Sequence, residues 1–150
     1  MKTTTCALVL INEYGDILGC HGYGKPQENG YDFPKGCRDE ADEDDLATAV
    51  TELQEETGII LLDKGNVIDA GIHNHNAKKN IHIFIYRVKS FMNIFDLSTL
   101  NCTTYFEDRN GKEVPEMDGY KIISKEGRAK YFYNVLQNKF DLIDKINESL

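Results

Sequence analysis

Apolar positions at the beginning of the chain follow a pattern that predicts two β-strands. The run Thr5–Ile11 is β-branched and apolar, and the apolar run Ile17–Cys20 follows it after the turn Asn12–Asp16. We therefore expect these two runs to pair as a hairpin. Residues 21–32 are rich in Gly, Pro and Asn, which is typical of a loop. A loop of that length in a compact chain is a candidate for function.

The period of the apolar positions becomes helical over residues 44–57. Gly58 stands where a helix C-cap is expected, and acidic residues precede the segment, where they favour a helix N-terminus. The predicted buried stripe consists of Leu46, Ala49, Val50, Leu53 and Thr57.

The rest of the chain contains more strand patterns and a helical tail. The segments predicted as strands are Val67–Ile72, Ile81–Val88 and Tyr120–Ile123. Ile81–Val88 is apolar at most positions, which indicates a central strand. Residues 91–112 give a mixed signal that ends in the turn Asp108–Gly111, and residues 126–147 are predicted to be helical. Strands mixed with two helices predict an α/β fold, a sheet covered by helices, in one domain of residues 1–150.

Composition and charge exclude several classes of function. Of 150 residues, 41% are hydrophobic and 28% are charged, as in an ordinary globular protein. Because 17 basic residues face 25 acidic ones, the net charge is −8, and no broad basic face is available to coat nucleic acid. A cation between protein and substrate would still allow an anionic ligand.

Sequence features that would direct the chain to a membrane or an oxidising compartment are missing. No apolar run approaches the roughly 18 residues of a membrane span. Residues 1–6 contain no signal-peptide core, so we expect a cytoplasmic protein. The four cysteines form no Cys-x-x-Cys pair, which argues against zinc and disulfides and for reduced thiols.

Three glutamates on the predicted helix form the candidate chemical cluster. Glu52, Glu55 and Glu56 have i, i+3, i+4 spacing and project within an arc of roughly 100°. Carboxylates this close repel one another unless a cation lies among them, and hard oxygen ligands suit Mg²⁺ or Mn²⁺. Taken alone, such a triplet is more often a solvated acidic face.

The surroundings of this triplet resemble the Nudix box, Gx5Ex7REUxEExGU, in which U is aliphatic. Pro34–Gly36 precedes the helix, Glu43 lies eight residues before Thr51, and Glu52–Ile59 matches the second half of the pattern. The box thus covers about residues 36–59. The resemblance implies a Nudix-type α/β/α sandwich with a mixed sheet. It also implies Mg²⁺ or Mn²⁺ held by the Gly36 carbonyl and by the three glutamates, which would be catalytic.

Two positions depart from the pattern. Six residues separate Gly36 from Glu43 where the family has five. Thr51 stands where the family has an arginine that holds a neighbouring glutamate by a salt bridge, and a poorly oriented carboxylate slows catalysis. Lys35, Arg38 or another cation could replace this arginine.

A segment outside the box extends the resemblance. Pro115–Ile123 is similar to the family segment in which a loop glutamate precedes the last strand. By this likeness Glu116 is a fourth catalytic carboxylate, acting as a metal ligand or as general base, and Asp118 is the alternative. Two solvated loop acids would give the same sequence.

The resemblance also suggests a substrate class. The Pro-Lys-Gly entry and the helix start are similar to those of Nudix diadenosine polyphosphate hydrolases. The chain length, the longer box and Tyr105–Asp118 resemble Nudix hydrolases of T-even phages. Both imply cleavage of an adenine-containing nucleoside diphosphate derivative (ADP-ribose, a dinucleoside polyphosphate or FAD) with release of AMP. The expected partner is this small nucleotide, with no stable nucleic acid or membrane binding, in a monomer or homodimer. A phage-encoded chain would work in the host cytoplasm.

Substrate contacts are predicted for aromatic and basic residues around the start of the box. Tyr23, Tyr31 and Phe33 are candidates for stacking on adenine, although plain packing in the core or the loop is the favoured interpretation for each. Lys35 and Arg38 are candidates for phosphate contact. Without a third ligand, His73 and His75 do not predict a metal site, and His82 within its strand is most simply structural.

Other functions are possible for the same motif. Thr51 is the one feature that favours a Nudix-fold nucleotide sensor that has lost turnover. A nucleoside triphosphatase with a housecleaning role is a further alternative that no residue outside the box favours. Messenger decapping would need a basic RNA path, which the charge balance does not offer.

Overall fold

The computed structural model describes residues 2–91 and 97–150 and consists of a mixed β-sheet between two helical layers. The strands are β1 (Thr3–Ile11), β2 (Ile17–Gly22), β3 (Tyr31–Asp32), β4 (Lys35–Cys37), β5 (Ile68–Asn74), β6 (Lys79–Arg87), β7 (Tyr105–Glu107), β8 (Glu113–Pro115) and β9 (Met117–Ile123). The helices are α1 (Asp45–Thr57), α2 (Arg128–Tyr131) and α3 (Phe140–Glu148). Single 3-10 segments cover Lys64–Asn66, Leu97–Thr99, Lys125–Gly127 and Asn134–Lys139.

The seven-stranded sheet is built around β1. It has the order β3-β2-β1-β6-β5, with β4 also beside β1 and β9 beside β2, and β7 and β8 form a separate hairpin. Strands β1 and β6 are parallel from Thr3 opposite Lys79 to Ile11 opposite Arg87, whereas the other pairs are antiparallel. The prediction of a central strand at β6 is therefore confirmed.

Alternation along β1 separates the two hydrophobic layers. One face places Cys6, Leu8 and Leu10 with Ala49 and Leu53 of α1. The other face places Ala7, Val9 and Ile11 with Phe140 and Ile143 of α3. Successive side chains of a strand point to opposite faces, so a strand apolar at every position is buried on both sides. The predicted α/β/α sandwich with a mixed sheet is confirmed.

The tail differs from the single helix expected over residues 126–147. Helix α2 ends at Tyr131, and Phe132 is extended, with φ of −78° and ψ of 151°. Phe132 forms a β-bridge with Tyr31, and its ring is fully buried against Phe33 and Phe140. Asn29 donates hydrogen bonds to the backbone oxygens of Ala129 and Phe132, which satisfies the carbonyls at the break. This tertiary packing overrides the helical pattern of the sequence.

One of the other segments was predicted from the sequence, and several short strands were not. The turn Asp108–Gly111 joins β7 to β8, and Gly111 has a positive φ of 75°. The short strands β3, β4, β7 and β8 were not predicted. Residues 92–96, part of the stretch with a mixed signal, lie outside the described residues. None of the helices formed by residues 2–91 and 97–150 is long and apolar enough to cross a membrane.

Candidate active site

Helix α1 carries the three box glutamates, and the sequence fixes both of its ends. The Asp44 side chain accepts a 2.8 Å hydrogen bond from the backbone N–H of Ala47 and so caps the first turn. Gly58 ends the helix with a left-handed φ of 80°, which glycine adopts without strain. Ala49 and Leu53 are buried against the sheet, and this packing sets the rotation of the helix.

Glu56 is the most deeply buried of the three glutamates, with only 1% of its surface exposed. The backbone N–H of Lys35 donates to its Oε1 at 3.1 Å, and Lys35 Nζ lies 3.7 Å from its Oε2. Burial raises the pKa of Glu56 to about 7, against the opposing effect of the Lys35 charge. A residue of β4 thus holds this carboxylate in place.

Lys35 also forms an ion pair with a second carboxylate. Its Nζ lies 3.8 Å from Oδ2 of the buried Asp32. Burial lowers the pKa of Lys35, but Asp32 and Glu56 raise it, and the net direction is upward. Thr51 is exposed. Lys35 therefore contacts a box glutamate from the strand side, while the position that holds arginine in the family carries an exposed threonine.

Arg38 is the other cation considered as a replacement for the arginine, and it contacts different residues. Its Nε lies 2.8 Å from Oδ1 of Asp45, and its Nη2 donates to the backbone oxygen of Asp42 at 3.1 Å. These bonds join Arg38 to the loop that leads into α1. Of the two cations, Lys35 is the one whose charge lies against a box glutamate.

Glu52 lies directly against the backbone of Gly36. A Cβ built on Gly36 would be 2.1 Å from Cδ of Glu52, so no side chain fits at position 36 without displacing the carboxylate. Burial, followed by the charges of Glu56 and Glu55, raises the pKa of Glu52 to about 7. The structure thus brings together two of the residues predicted as metal ligands.

Glu55 and Glu116 are linked by hydrogen bonds to two neighbouring residues that precede β7, Thr103 and Thr104. The Glu55 backbone oxygen accepts hydrogen bonds from the N–H (2.7 Å) and hydroxyl (3.1 Å) of Thr103. The N–H of Glu116 donates to Thr104 at 3.0 Å. Glu116 is exposed between β8 and β9, and its charge contributes to the raised pKa values of Glu52 and Glu56. Its carboxylate therefore acts on the same cluster as the helix glutamates.

Asp118, the alternative to Glu116, is paired with a buried histidine. Asp118 Oδ1 lies 2.5 Å from Nδ1 of His21, and Nε2 of His21 lies 3.0 Å from the backbone oxygen of Pro26. Burial lowers the pKa of His21, but the bonds to Asp118 and Pro26 raise it, and the net direction is upward. An imidazolium is the form that donates to both oxygens.

The aromatic residues predicted to stack on adenine lie in different environments. Phe33 is fully buried, with ring centroids 5.4 Å from Phe132 and 6.1 Å from Phe140, so it packs the core and has no face for a ligand. Tyr31 is also buried, and its hydroxyl donates to Gln27. Tyr23 is half-buried beside the loop that carries Glu116. The expectation for Phe33 is thus corrected, because the bridge at Phe132 draws this part of the chain into the core.

Two of the remaining three histidines have local structural partners, whereas the Nδ1 of His75 is buried without a hydrogen-bond partner among the described residues. His82 lies between Asp45 and Asp69, with 2.7 Å from each ring nitrogen to a carboxylate oxygen. The His73 ring contacts the backbone oxygen of Ala70.

Two neighbours of the site could not be found from the sequence. The Tyr120 hydroxyl donates a hydrogen bond to the backbone oxygen of Glu56. The Asp32 carboxylate forms an ion pair with the ammonium group of Lys35. No motif marks either residue; the nearest signal for Asp32 is its place just before Phe33-Pro34-Lys35-Gly36.

The donor set fits a divalent cation of the Mg²⁺ type. Within residues 2–91 and 97–150, no three His, Cys, Asp or Glu side chains form a ready-made metal site. Mg²⁺ does not require one, because it keeps several waters and uses one or two carboxylates together with substrate phosphates. The crowded carboxylates of Glu52 and Glu56, whose pKa values are raised, are the groups whose repulsion a cation would relieve.

Comparisons with known proteins agree on the fold. No protein-family model matches the chain. A 17.7 kDa protein in the e-segB intergenic region of Enterobacteria phage T4 is 27% identical over 149 residues, which are 93% of this chain and 97% of that protein. The Nudix domain of Shewanella oneidensis NrtR, solved with ADP-ribose, superposes with a TM-score of 0.68 and 11% identity over 97% of this chain and 88% of that one.

Two further solved structures have the same architecture. A Caenorhabditis elegans Ap4A hydrolase gives a TM-score of 0.64 with 14% identity over 99% of both chains. A bifunctional NMN adenylyltransferase/ADP-ribose pyrophosphatase of Francisella tularensis, solved with AMP and a manganese ion, gives 0.62 with 16% identity over 97% of this chain and 41% of that one. The chain has the Nudix fold. The resemblance drawn from the box is thus confirmed for the fold, and the phage T4 relative agrees with the likeness to T-even phages.

The residues described above can now be assigned to elements of the Nudix fold. Helix α1 is the box helix, and β4 is the strand that runs beside its glutamates. Lys35 and Gly36, both on β4, contact Glu56 and Glu52 respectively. Residues far apart in the sequence thus form one acidic cluster with Lys35 beside it.

Proposed function

We propose that this chain is a Nudix pyrophosphohydrolase that depends on a divalent metal. It cleaves the diphosphate of an adenine-containing nucleoside diphosphate derivative and releases AMP. The observation that carries the proposal is the contact of Lys35 with Glu56, which lets the box keep an oriented glutamate although position 51 is a threonine.

The metal would be held by Glu52, Glu55, Glu56 and the Gly36 carbonyl. When bound, Mg²⁺ or Mn²⁺ neutralises the charge of the diphosphate and promotes attack by water on phosphorus. The Francisella tularensis structure with manganese supports this choice of ion. A cation here also explains how a chain of net charge −8 accepts an anionic substrate.

The protein residues orient the carboxylates and accept a proton. Lys35 fixes Glu56 through its backbone N–H and its ammonium group, and the absence of a side chain at Gly36 leaves room for the Glu52 carboxylate. The charge of Glu116 acts on the same cluster. We assign Glu116 the role of general base, accepting the proton of the attacking water. Asp118 is paired with His21 and supports the loop that carries Glu116.

The proposed substrate class rests on the ligands of similar structures. The NrtR Nudix domain was solved with ADP-ribose, and the C. elegans neighbour is an Ap4A hydrolase. ADP-ribose and Ap4A both contain adenine joined to a chain of phosphates. This agrees with the substrate class that the box and the Pro-Lys-Gly entry suggested.

A substrate panel tests the proposal. AMP release would be measured from ADP-ribose, FAD, and diadenosine tri- and tetraphosphate, with Mg²⁺, Mn²⁺ or EDTA; an oxidised dGTP, followed by its monophosphate, would cover the triphosphatase alternative. We expect AMP from an adenine substrate only with metal, and loss of this activity in Glu55→Gln and Glu56→Gln. Glu13→Gln, an exposed glutamate in the turn after β1, is the matched control and should keep full activity.

Other outcomes would point to a different function. Tight metal-dependent binding of ADP-ribose without any product would contradict the proposal and favour the sensor. Turnover of the oxidised dGTP alone would favour the housecleaning triphosphatase. Full activity in both Glu55→Gln and Glu56→Gln would show that these glutamates take no part in catalysis.

A further inference from the structure

The hairpin β7–β8 is anchored to the candidate site by a continuous series of backbone hydrogen bonds. Thr103, just before β7, donates to the Glu55 backbone oxygen, and Glu116, just after β8, donates to Thr104. The N–H of Tyr23 in turn donates to the backbone oxygen of Glu116 at 3.0 Å. The hairpin and the loop after β2 are therefore fixed relative to the end of α1 and to Glu116.

Two aromatic rings, one from the loop after β2 and one from β7, are in contact at this junction. The ring centroids of Tyr23 and Phe106 are 6.0 Å apart with an interplanar angle of 78°, an edge-to-face pair. Phe106 is 41% exposed although Val114, its cross-strand partner, is buried. An exposed phenylalanine whose orientation is set by a tyrosine offers a hydrophobic surface at a defined place, beside the loop that carries Glu116.

The charges around this pair select an uncharged ligand group. Glu107 and Glu113 are cross-strand partners that follow Phe106 and precede Val114, so they point to the face of the hairpin opposite to Phe106. The exposed Glu116 follows the hairpin beside the pair. The cations of the hairpin, Arg109 and Lys112, lie in and beside its turn. A phosphate at this place would be repelled by Glu116, whereas a nucleobase carries no charge and has a flat face that stacks on an aromatic ring.

We infer that Phe106, together with Tyr23, forms the stacking surface for the base of the nucleotide substrate. This inference rests on the proposed function and adds the residue that binds the base. The diphosphate would then lie toward the helix glutamates and Lys35, and the base would lie on the far side of Glu116. Phe106 takes the place that the sequence assigned to Phe33, whose ring is buried.

The matched control is Tyr105, the neighbouring residue of β7. It is 51% exposed, but adjacent residues of a strand point to opposite faces, so its ring lies on the other side of the hairpin. Replacing either ring removes an exposed aromatic side chain from the same strand. The two substitutions differ in the face that they change.

The experiment measures KM and kcat for ADP-ribose and the dissociation constant of AMP. For Phe106→Ala and Phe106→Leu we expect each KM and dissociation constant to rise about tenfold, with kcat within about twofold, because stacking on a remote base contributes equally to ground and transition states. Phe106→Tyr, which keeps an aromatic face, and Tyr105→Ala should behave like the wild type. The leucine variant keeps an apolar side chain without an aromatic face. It therefore still tests stacking if the alanine variant unfolds the hairpin.

The outcomes separate this inference from the proposed function. If ADP-ribose is hydrolysed but Phe106→Leu matches the wild type, or Tyr105→Ala has the same effect, the inference is overturned and the function stands. If AMP binds and Phe106→Leu weakens it without any hydrolysis, the base site stands and the hydrolase fails. If AMP does not bind and ADP-ribose is not hydrolysed, both fail.

Discussion

The carboxylate of Glu52 lies so close to the backbone of Gly36 that a glycine is required at position 36. A Cβ built there would be 2.1 Å from Cδ of Glu52 and 2.3 Å from its Oε1, distances that real Cβ contacts do not reach. The requirement arises from this close approach. It links strand β4 to the box helix at the point where the metal ligands are proposed.

Replacing Gly36 by alanine should therefore move Glu52 and slow the reaction. We expect Gly36→Ala to lower kcat by roughly 10- to 100-fold, because a displacement of about 1 Å in a reacting group has an effect of that order. Gly65→Ala is the control, since no atom of the described chain lies within 4 Å of a Cβ at that position. Equal kcat values for the two variants would show that the contact with Glu52 has no catalytic importance.

Glu116 and Asp118 should differ in what their loss affects. Glu116→Gln removes the proposed general base, and we expect kcat to fall roughly 100-fold or more, with little change in the melting temperature. Asp118→Asn leaves the buried His21 without its carboxylate partner and should lower the melting temperature. Steady-state kinetics and thermal unfolding of both variants test this division. The reverse pattern would make Asp118 the catalytic residue.

The acidic cluster should make the metal-free protein less stable as pH rises. Burial raises the pKa of Glu52 and of Glu56 from 4.5 to about 7. Between these values the folded protein holds protons that the unfolded chain has released, so the free energy of unfolding falls as pH increases through this window. In EDTA, we expect the melting temperature to drop by roughly 5 °C between pH 5 and pH 8.

Glu52→Gln isolates the contribution of the cluster to this trend. The variant should lose part of the decline, because its amide carries no charge at any of these pH values. Saturating Mg²⁺ at pH 8 should raise the melting temperature of the wild type more than that of the variant. A pH dependence that is the same in both proteins would place its origin outside the cluster.

Regular periodicity is the part of the structure that the sequence could predict. Strands β1 and β6 are apolar on both faces, and α1 has a capping aspartate and a terminal glycine, so the main layers follow from local patterns. The tail could not be predicted in the same way, because Phe132 leaves the helix to bridge Tyr31, which is distant in the sequence. Burial of Phe33 results from the same long-range packing.

The site was predicted in composition but not in its contacts. Helical spacing predicted that Glu52, Glu55 and Glu56 lie on one side of α1, and the resemblance to the Nudix box made them candidate metal ligands. The sequence named Lys35, Arg38 or another cation as the substitute for the arginine but could not choose among them, since Lys35 lies 21 residues before Glu56 and reaches it because β4 pairs with β1. Phe106 belongs to a hairpin too short to give a strand pattern.

The most direct test of the account exchanges the lysine for the arginine of the family pattern. AMP release from ADP-ribose with Mg²⁺ would be measured for the wild type, Lys35→Met, Thr51→Arg and the double variant, with Lys64→Met as an exposed control. We predict metal-dependent release by the wild type and Lys64→Met, a fall of roughly 10- to 100-fold in Lys35→Met, and recovery of much of this loss in the double variant. Absence of release by the wild type, or full activity in Lys35→Met, would contradict the account.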